Sequence, residues 1–291
     1  MCRPPKRGTA RGSTLANESE ALKIETTLRD GRTGGRLFIG TSGWRYASWR
    51  GDFYPKGLVQ RRELEHLATR MNSVELNGSF YSLQRPESYD RWRDATPAGF
   101  RFAVKGGRYI THMAGPDKLT AGIENFFASG VTRLGDRLGP ILWQFPTRRR
   151  FDPAQLEAFC AALPRSYDGR RLRHALEPRH ESFADPACTH ILNRHRIALV
   201  ASDGAREWPT LFMDRATDAT AGLVYVRLHG PHELYHGGYS QKQLAHWASV
   251  VRELATRGER KTVRDTYVYF DNDADGRAPF DALALAELMA R

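Results

Sequence analysis

The stretch LFIGTSGWRYASWRGDFYP, Leu37–Pro55, decides between two folds for this chain. It begins as a short apolar strand and continues into a loop that is rich in aromatic and basic residues. An open, doubly wound sheet usually follows its first strand with a Gly-x-Gly-x-x-Gly phosphate loop. That glycine pattern does not occur in this stretch. The stretch therefore favours the alternative α/β fold, a closed barrel of parallel strands.

Seven further apolar runs of strand length follow the first one along the chain. The eight predicted strands are LFIGTS (37–42), SVELN (73–77), FRFAVK (100–105), PILWQF (140–145), HALEP (174–178), RIALVAS (196–202), LVYVRLH (223–229) and TYVYFD (266–271). Helical segments separate most of them, with start signals at Asp152-Pro153, at Asp185-Pro186 and in a Ser240/Gln243 capping box. Strands that alternate with helices pair in parallel through right-handed crossovers.

The number of strands and the length of 291 residues predict a TIM (β/α)8 barrel. One repeat departs from the pattern, because residues 203–222 contain Pro209 and little helical periodicity. We expect a degenerate helix there, between strands 6 and 7. Residues 36–291 are predicted to form this single barrel domain.

Residues 1–35 carry seven basic against four acidic residues and few large apolar ones, which predicts a disordered basic tail. A solvated tail without function and a nucleic-acid-binding arm are both compatible with this composition. The three cysteines are far apart, and the chain has neither a membrane-length apolar run nor the apolar core of a secretory signal. We expect a soluble, cytoplasmic protein with no membrane partner. Its net charge of +11 predicts attraction to anions.

Polar residues follow the apolar part of seven of the eight predicted strands. Side chains alternate along a strand, and barrel enzymes place their active sites at the carboxyl ends of the strands. This alternation places Lys105 behind an inward Ala103, Gln144 behind Leu142, Asp203 behind Ala201 and Asp271 behind Tyr269. It directs one set of polar side chains toward the barrel axis: Glu75, Asn77, Lys105, Gln144, Glu177, Arg179, Asp203, Arg227, His229 and Asp271. The loops on the same side are rich in arginines and aromatic rings, which suits an anionic ligand.

Seven segments together resemble the successive blocks of the domain of unknown function 72 family, the YecE-like TIM-barrel proteins. They are GTSGWRYASWRGDFYP, VELNGSFY, FRFAVKGGRYITH, ILWQFP, ALEPRHESF, YVRLHG and YVYFDNDADGRAP, between about Leu37 and Leu285. The resemblance implies a TIM barrel with a pocket, and the family has no settled activity. Two residues depart from the family pattern. Pro178 can kink the fifth strand and redirect Arg179 and His180, and Asp271 stands where the family usually has Asn.

Three interpretations of the polar cluster remain open. Its acids and histidines are of the type that binds a divalent metal, but no metal-ligand spacing such as His-x-His appears. In a metal-free site, Lys105 and Arg227 would hold an anion, Glu177 would act as general base and His229 would donate a proton. In the third interpretation, Glu75, Lys105, Glu177, Arg227 and Asp271 form a charge-paired plug that binds nothing.

The predicted function is hydrolysis of a phosphorylated or nucleic-acid substrate in a basic, aromatic-rich pocket at the carboxyl ends of the strands. The alternative is a non-catalytic barrel that binds nucleic acid or an anionic small molecule there. The predicted catalytic residues are Glu177, His229 and Glu75. The predicted ligand-binding residues are Trp44, Asn77, Lys105, Gln144, Arg179, His180, Asp203, Arg227, Asp271 and Asn272. No cofactor is established, and a divalent metal is left open.

Overall fold

The computed structural model of the protein describes residues 27–28, 35–113, 115–203, 222–256 and 263–290. Two sequence predictions fall mostly outside these ranges. Of the predicted basic tail, only residues 27, 28 and 35 are described. Of the predicted degenerate connection between strands 6 and 7, only residues 203 and 222 are described.

Each of the eight predicted strands contains a strand in the structure, with ends that differ by one or two residues. The sixth is divided into two short pieces, and three short strands lie outside the predicted set. The strands are β1 (Thr27–Leu28), β2 (Gly35–Thr41), β3 (Ser73–Leu76), β4 (Arg101–Lys105), β5 (Leu138–Gln144), β6 (Ser166–Tyr167), β7 (Arg170–Arg171), β8 (His174–Glu177), β9 (Ile197–Leu199), β10 (Ala201–Ser202), β11 (Leu223–Leu228) and β12 (Asp265–Phe270).

Helices lie between most of the parallel strands, as predicted. They are α1 (Glu63–Arg70), α2 (Gly78–Tyr81), α3 (Pro86–Asp94), α4 (Pro116–Ala128), α5 (Pro153–Ala162), α6 (Pro186–His195), α7 (Gln241–Thr256) and α8 (Ala278–Met289). The predicted helix starts are confirmed. The Asp152 side chain accepts a 3.0 Å hydrogen bond from the backbone N–H of Gln155, and the Asp185 side chain accepts one of 2.8 Å from Ala187. These bonds satisfy amide groups that have no partner within the helix.

The strands form two five-stranded sheets and a small ribbon. In the first sheet the order is β1-β2-β12-β11-β10, and in the second it is β3-β4-β5-β8-β9. All pairs in both sheets are parallel except β1 with β2. The antiparallel pair β6 and β7 makes the ribbon.

The two sheets are adjacent at both of their ends. At one end β9 leads into β10 through Val200, whose backbone N–H donates a 2.9 Å hydrogen bond to the carbonyl of Leu176. At the other end Ser42, directly after β2, forms a parallel bridge with Glu75 of β3. The Gly43 N–H adds a 2.8 Å bond to the Glu75 carbonyl. The carboxyl ends of β2 and β3 therefore lie side by side.

Two separate apolar clusters lie on the two faces of the strands. The outer cluster packs the helices against the sheets, and the inner one consists of strand residues and Val200: Phe38, Ala103, Leu142, Ala175, Ala198, Val200, Leu223, Tyr225, Tyr267 and Tyr269. The predicted alternation is confirmed at Ala103, Leu142 and Tyr269. It is wrong for the sixth predicted strand, where Ala198 and Val200 belong to the inner cluster and Ala201 to the outer one.

Three residues of the segment predicted to be a disordered tail, namely Thr27, Leu28 and Gly35, lie in strands. Thr27 and Leu28 pair with Arg36 and Gly35 in an antiparallel ladder that extends the edge of the first sheet. Pairing at this edge satisfies backbone groups at the start of β2 that would otherwise be exposed.

The approach of β2 to β3 depends on a glycine and on an asparagine side chain. The Asn72 amide accepts a 2.9 Å bond from the Ile39 N–H and donates one of 2.8 Å to the Leu37 carbonyl. It thus replaces part of a strand ladder between the two sheets. Beside it, a Cβ atom on Gly40 would lie 2.0 Å from the carbonyl oxygen of Ser73.

We expect Gly40→Ala to lower the free energy of unfolding by at least about 1–3 kcal/mol, because the added methyl group overlaps backbone that cannot rotate away. Urea unfolding measures this change. Gly107→Ala is the control, since a Cβ there meets nothing closer than 3.8 Å. Equal stability of the two variants would contradict the close approach of β2 and β3.

In the described ranges, none of the helices combines the length and the apolar composition that crossing a bilayer requires.

Candidate functional site

Arg227 of β11 is the centre of a buried polar cluster at the carboxyl ends of the strands. Its side chain is 1% exposed and bonds carboxylates from three other strand ends. Its guanidinium donates from Nε and Nη2 to Glu75 at 3.1 and 2.8 Å. It also donates from Nη1 to Glu177 at 3.0 Å and from Nη2 to Asp271 at 2.9 Å. Such a geometry compensates charges that would be costly to bury singly.

Glu75, in β3, is the most deeply buried carboxylate bonded to Arg227, with none of its surface exposed. Besides Arg227, its oxygens accept 2.6 Å hydrogen bonds from the Ser42 hydroxyl and from the Tyr225 hydroxyl. Burial raises the pKa of Glu75, but the charges of Arg227 and Lys105 and these bonds outweigh it and bring the pKa below its ordinary value. Glu75 is therefore an ionised, fully bonded group.

Glu177, at the end of β8, has both oxygens occupied as well. Oε2 accepts a 2.6 Å bond from Gln144 Nε2, and Oε1 accepts one of 3.3 Å from Arg179 Nη2. Burial raises the pKa of Glu177, but Arg179 and Arg227 bring it well below the ordinary value. A carboxylate with so low a pKa is a weak base.

His229 is fully buried and links the cluster to the turn after β11. Its Nε2 lies 2.9 Å from Arg227 Nη1, and its Nδ1 lies 3.0 Å from the Ser202 hydroxyl. Burial lowers the pKa of His229, but hydrogen bonds to Asp203 and Glu177 raise it above its ordinary value. Asp203 also accepts bonds from the backbone N–H groups of His229 and Gly230 and from the Tyr239 hydroxyl, so it fixes this turn.

Lys105, at the end of β4, differs from the two arginines. The residue is 9% exposed, and its Nζ lies 4.2 Å from the centroid of the Phe80 ring. Within the described ranges no side chain or carbonyl accepts a hydrogen bond from Nζ. Burial, helped by the charge of Arg227, lowers the pKa of Lys105 to about 8, although nearby carboxylates act in the opposite direction.

A positively charged region adjoins Lys105. The His112 ring packs edge-on against Phe80, and the Arg148 guanidinium donates a 3.0 Å bond to the His112 carbonyl. Burial lowers the pKa of His112 to about 4, together with the positive charges of Arg108, Arg148, Lys105 and Arg179. His112 is therefore neutral at physiological pH, and four cations surround it. Tyr81 and Tyr109 are exposed beside it.

A family model described as "Protein of unknown function DUF72" matches residues 38–291. The chain belongs to the DUF72 family. It is 26% identical to the UPF0759 protein YunF of Bacillus subtilis (strain 168), over 87% of this chain and 94% of that protein.

Solved DUF72 structures have the same fold. A DUF72 family protein from Thermotoga maritima aligns with a TM-score of 0.73 and 26% identity, over 88% of this chain and 99% of that one. One from Enterococcus faecalis gives a TM-score of 0.71 at 18% identity, over 88% and 96%. At 18% identity, the similarity to the Enterococcus faecalis protein shows only that the two chains share a fold.

In this DUF72 chain, most of the predicted site residues meet at the strand ends. The cluster contains Glu75, Asn77, Gln144, Glu177, Arg179, Asp203, Arg227, His229 and Asp271, with Lys105 beside them. The predicted charge plug forms only in part, because Glu75, Glu177, Arg227 and Asp271 pair with one another and Lys105 does not. Arg179 turns back toward Glu177 although Pro178 ends the strand.

Three predicted ligand-binding residues lie outside the Arg227 cluster and have structural contacts of their own. Trp44 is buried in the outer core, with its ring edge-on to Trp92 at 5.7 Å. His180 accepts a 3.0 Å bond from the Ser182 N–H and so caps a short 3-10 helix. Asn272 is fully buried and donates to the Asp281 carboxylate at 2.7 Å. Each lies at the end or the edge of a strand, and its packing partners could not be predicted from position alone.

Sequence reasoning missed three polar contributors, namely Ser42, Ser202 and Tyr239. The Ser42 hydroxyl donates to Glu75 and accepts bonds from Arg227 and Asn77. Alternation could have found it, because Ser42 lies four residues after the inner Phe38. Tyr239 comes from the loop before α7, and strand alternation carries no signal for it.

The carboxylates of the cluster do not form a metal site. Among the described residues, no group of three or more His, Cys, Asp or Glu side chains is placed to hold a metal ion. The oxygens of Glu75 and Glu177 accept hydrogen bonds from Arg227 and its neighbours instead.

Proposed function

We propose that the two sheets close into one TIM (β/α)8 barrel, with the polar cluster at its carboxyl-terminal mouth. Three observations support closure: the bridge between Ser42 and Glu75, the continuation of β9 into β10, and an inner apolar cluster that draws residues from both sheets. In such barrels the loops at the carboxyl ends of the strands build the active site.

We infer that this mouth binds a phosphorylated substrate and that the protein hydrolyses it. The observation that carries the proposal is Lys105, a buried cation for which the described residues offer no hydrogen-bond acceptor. A buried charge without an acceptor is unfavourable unless a ligand supplies one. The cations around His112 extend the same site for an anion.

We assign the role of general base to Asp271 rather than to the predicted Glu177. Both oxygens of Glu177 are occupied, and its pKa lies well below the ordinary value. Asp271 gives Oδ2 to Arg227, and no donor among the described residues reaches its Oδ1. Its side chain is also 14% exposed. In the proposed step a water oxygen bonds to phosphorus, its proton passes to Asp271, and the ester oxygen leaves with a proton from solvent.

Glu75, His229 and Gln144 act through other residues in this proposal. Gln144 holds Glu177 through its 2.6 Å hydrogen bond. Glu75 and His229 are fully buried and hold Arg227, which in turn orients Asp271. Lys105 and Arg179 contact the phosphate, and the amide oxygen of Asn77 accepts a hydrogen bond from a hydroxyl group of the substrate. That oxygen is buried without a donor.

The second candidate is a non-catalytic barrel that binds an anionic small molecule or nucleic acid at the same mouth. The hydrogen bonds to Glu75 and Glu177 favour this candidate. They occupy the oxygens of both carboxylates, so that among the described carboxylates bonded to Arg227 only Asp271 keeps an oxygen without a donor. Salt dependence separates the ligand classes, since neutralising several phosphates makes affinity fall steeply with salt.

Phosphate release from phosphomonoesters, together with release of the alcohol from phosphodiesters and strand cleavage of abasic DNA, tests the hydrolase. We expect Asp271→Asn to lower the rate by roughly 100-fold or more, because general-base catalysis contributes that much. Asn keeps the bond to Arg227, so folding is retained. Asp136→Asn is the control, with a carboxylate that is 94% exposed.

Three outcomes decide between the proposals. Equal rates for wild type and Asp271→Asn would refute the base assignment. Thermal stabilisation by phosphates without turnover would support the non-catalytic barrel. If no member of the panel stabilises the protein, the anion site itself is wrong.

A further inference from the structure

We propose that Lys105 is a nucleophile that forms an imine with the carbonyl group of a small anionic aldehyde or ketone. This goes beyond the hydrolysis proposed above and does not depend on it. The two roles use two forms of one side chain. The ammonium binds an anion, and the neutral amine attacks a carbonyl carbon.

The surroundings of Lys105 leave its amine available. Arg179 and Arg227 each bond a carboxylate, whereas no residue in the described ranges accepts a hydrogen bond from Lys105 Nζ. The Phe80 ring covers one side of the ammonium at 4.2 Å. Loss of one proton therefore frees a lone pair without breaking an ion pair.

The backbone that carries Lys105 is held in place on both sides. The Ser79 hydroxyl donates a 2.7 Å bond to the Lys105 carbonyl, and the Gly106 N–H donates one of 2.8 Å to the Leu142 carbonyl. A Cβ on Gly106 would lie 2.3 Å from the Trp143 ring, so the chain packs tightly here. A fixed attachment point favours reaction over non-specific modification.

Burial lowers the pKa of Lys105 to about 8. At pH 7 about one molecule in ten then carries the neutral amine, against roughly one in 2,500 for an ordinary lysine with a pKa near 10.4. This difference favours Lys105 over the exposed lysines of the chain. Desolvation is a known route to nucleophilic lysines.

The reaction needs no oxidant or reductant. The nitrogen of Lys105 bonds to the carbonyl carbon, and the carbonyl oxygen becomes a hydroxyl by taking one amine hydrogen. The second amine hydrogen leaves with that hydroxyl as water, and the C=N bond forms. Asp271, whose charge acts on Lys105, offers an open carboxylate oxygen to relay these protons.

The ligand should also carry a negative charge. Arg108, Arg148 and Arg179 share one neighbour with Lys105, because the charges of all four lower the pKa of His112. A phosphate or carboxylate group on the carbonyl compound would be bound there by charge-assisted hydrogen bonds. The test uses one probe of each kind, glyoxylate and glyceraldehyde 3-phosphate.

The full chain is incubated with each probe and sodium cyanoborohydride between pH 6 and 9, and the labelled lysines are located by peptide mass mapping. We expect labelling of Lys105 at least about ten times faster than of the exposed Lys56, Lys118 and Lys242, because the neutral fraction of a lysine follows its pKa. The Lys105 rate should rise with a midpoint near pH 8. Labelling no faster than at Lys118 overturns the proposal.

Each lysine is measured in the wild-type protein, so the result does not depend on the folding of a variant. Lys105→Gln should remove the fast label and leave the slow ones. A fast label that remains in this variant also overturns the proposal. Labelling in the presence of inorganic phosphate tests the imine and the phosphate site separately. If Lys105 is labelled fast and inorganic phosphate does not slow the labelling, the result supports the imine and argues against a phosphate site at Lys105.

Discussion

Replacement of Arg227 by methionine is expected to lower the free energy of unfolding by about 3–5 kcal/mol at neutral pH, the usual cost of leaving a buried charge without its partner. The loss of stability should exceed the cost of breaking a single ion pair, because Arg227 bonds Glu75, Glu177 and Asp271. A typical domain has only about 5–15 kcal/mol of stability. Urea unfolding of the variant at pH 7 measures the change.

The contribution of Glu75 to the pH dependence of stability should change sign in this variant. In the wild type the pKa values of Glu75 and Glu177 are lowered. Their contribution to stability is therefore present above their ordinary pKa near 4.5 and is lost as the pH falls below it. Without Arg227, burial dominates and raises the pKa of Glu75, so its contribution to stability increases as the pH falls.

Arg62→Met is the control for this prediction. Its exposed pair with Glu65 should contribute less than about 1 kcal/mol. A stability difference between Arg227→Met and the wild type that does not shrink as the pH falls from 7 to about 4 would contradict the pairing of Arg227 with Glu75 and Glu177.

Replacement of Lys105 by methionine should weaken binding of inorganic phosphate and stabilise the protein at the same time. A charge-assisted hydrogen bond contributes about 1.5–3 kcal/mol, so the dissociation constant should rise by roughly 10-fold to 100-fold. The stability should not fall, because the variant removes a buried charge without a described acceptor and keeps an apolar side chain of similar length. Calorimetric titration and urea unfolding measure the two effects.

Lys118→Met, on the exposed face of α4, should change neither quantity. A Lys105→Met variant that is strongly destabilised and binds phosphate normally would mean that Lys105 serves the fold rather than a ligand.

The strands could be predicted because buried parallel strands are short apolar runs between helix signals, and alternation then assigns their faces. The prediction failed at Ala201 because the run from Ile197 to Ala201 is apolar on both faces, so alternation alone does not show which of its residues face inward. The strand at residues 27–28 was not predicted, because a two-residue ladder has no periodicity to detect.

The members of the site could be predicted more readily than their roles. Alternation placed Glu177 and Lys105 among the polar strand ends, but it contains no information on which groups touch. Arg227 reaches three carboxylates because its guanidinium has five donors, and this occupies the predicted base, Glu177. The contact of Lys105 with the Phe80 ring depends on the packing of several elements, so it could not be predicted from either residue alone.

A crystal structure of the wild-type protein soaked in inorganic phosphate tests the central claim most directly, namely that the carboxyl ends of the strands form an anion site around Lys105. We expect a phosphate within hydrogen-bonding distance of Lys105 Nζ and near Arg179. Lys105 bonded to a carboxylate of its own chain at a saturating phosphate concentration, with no phosphate at the strand ends, would contradict it.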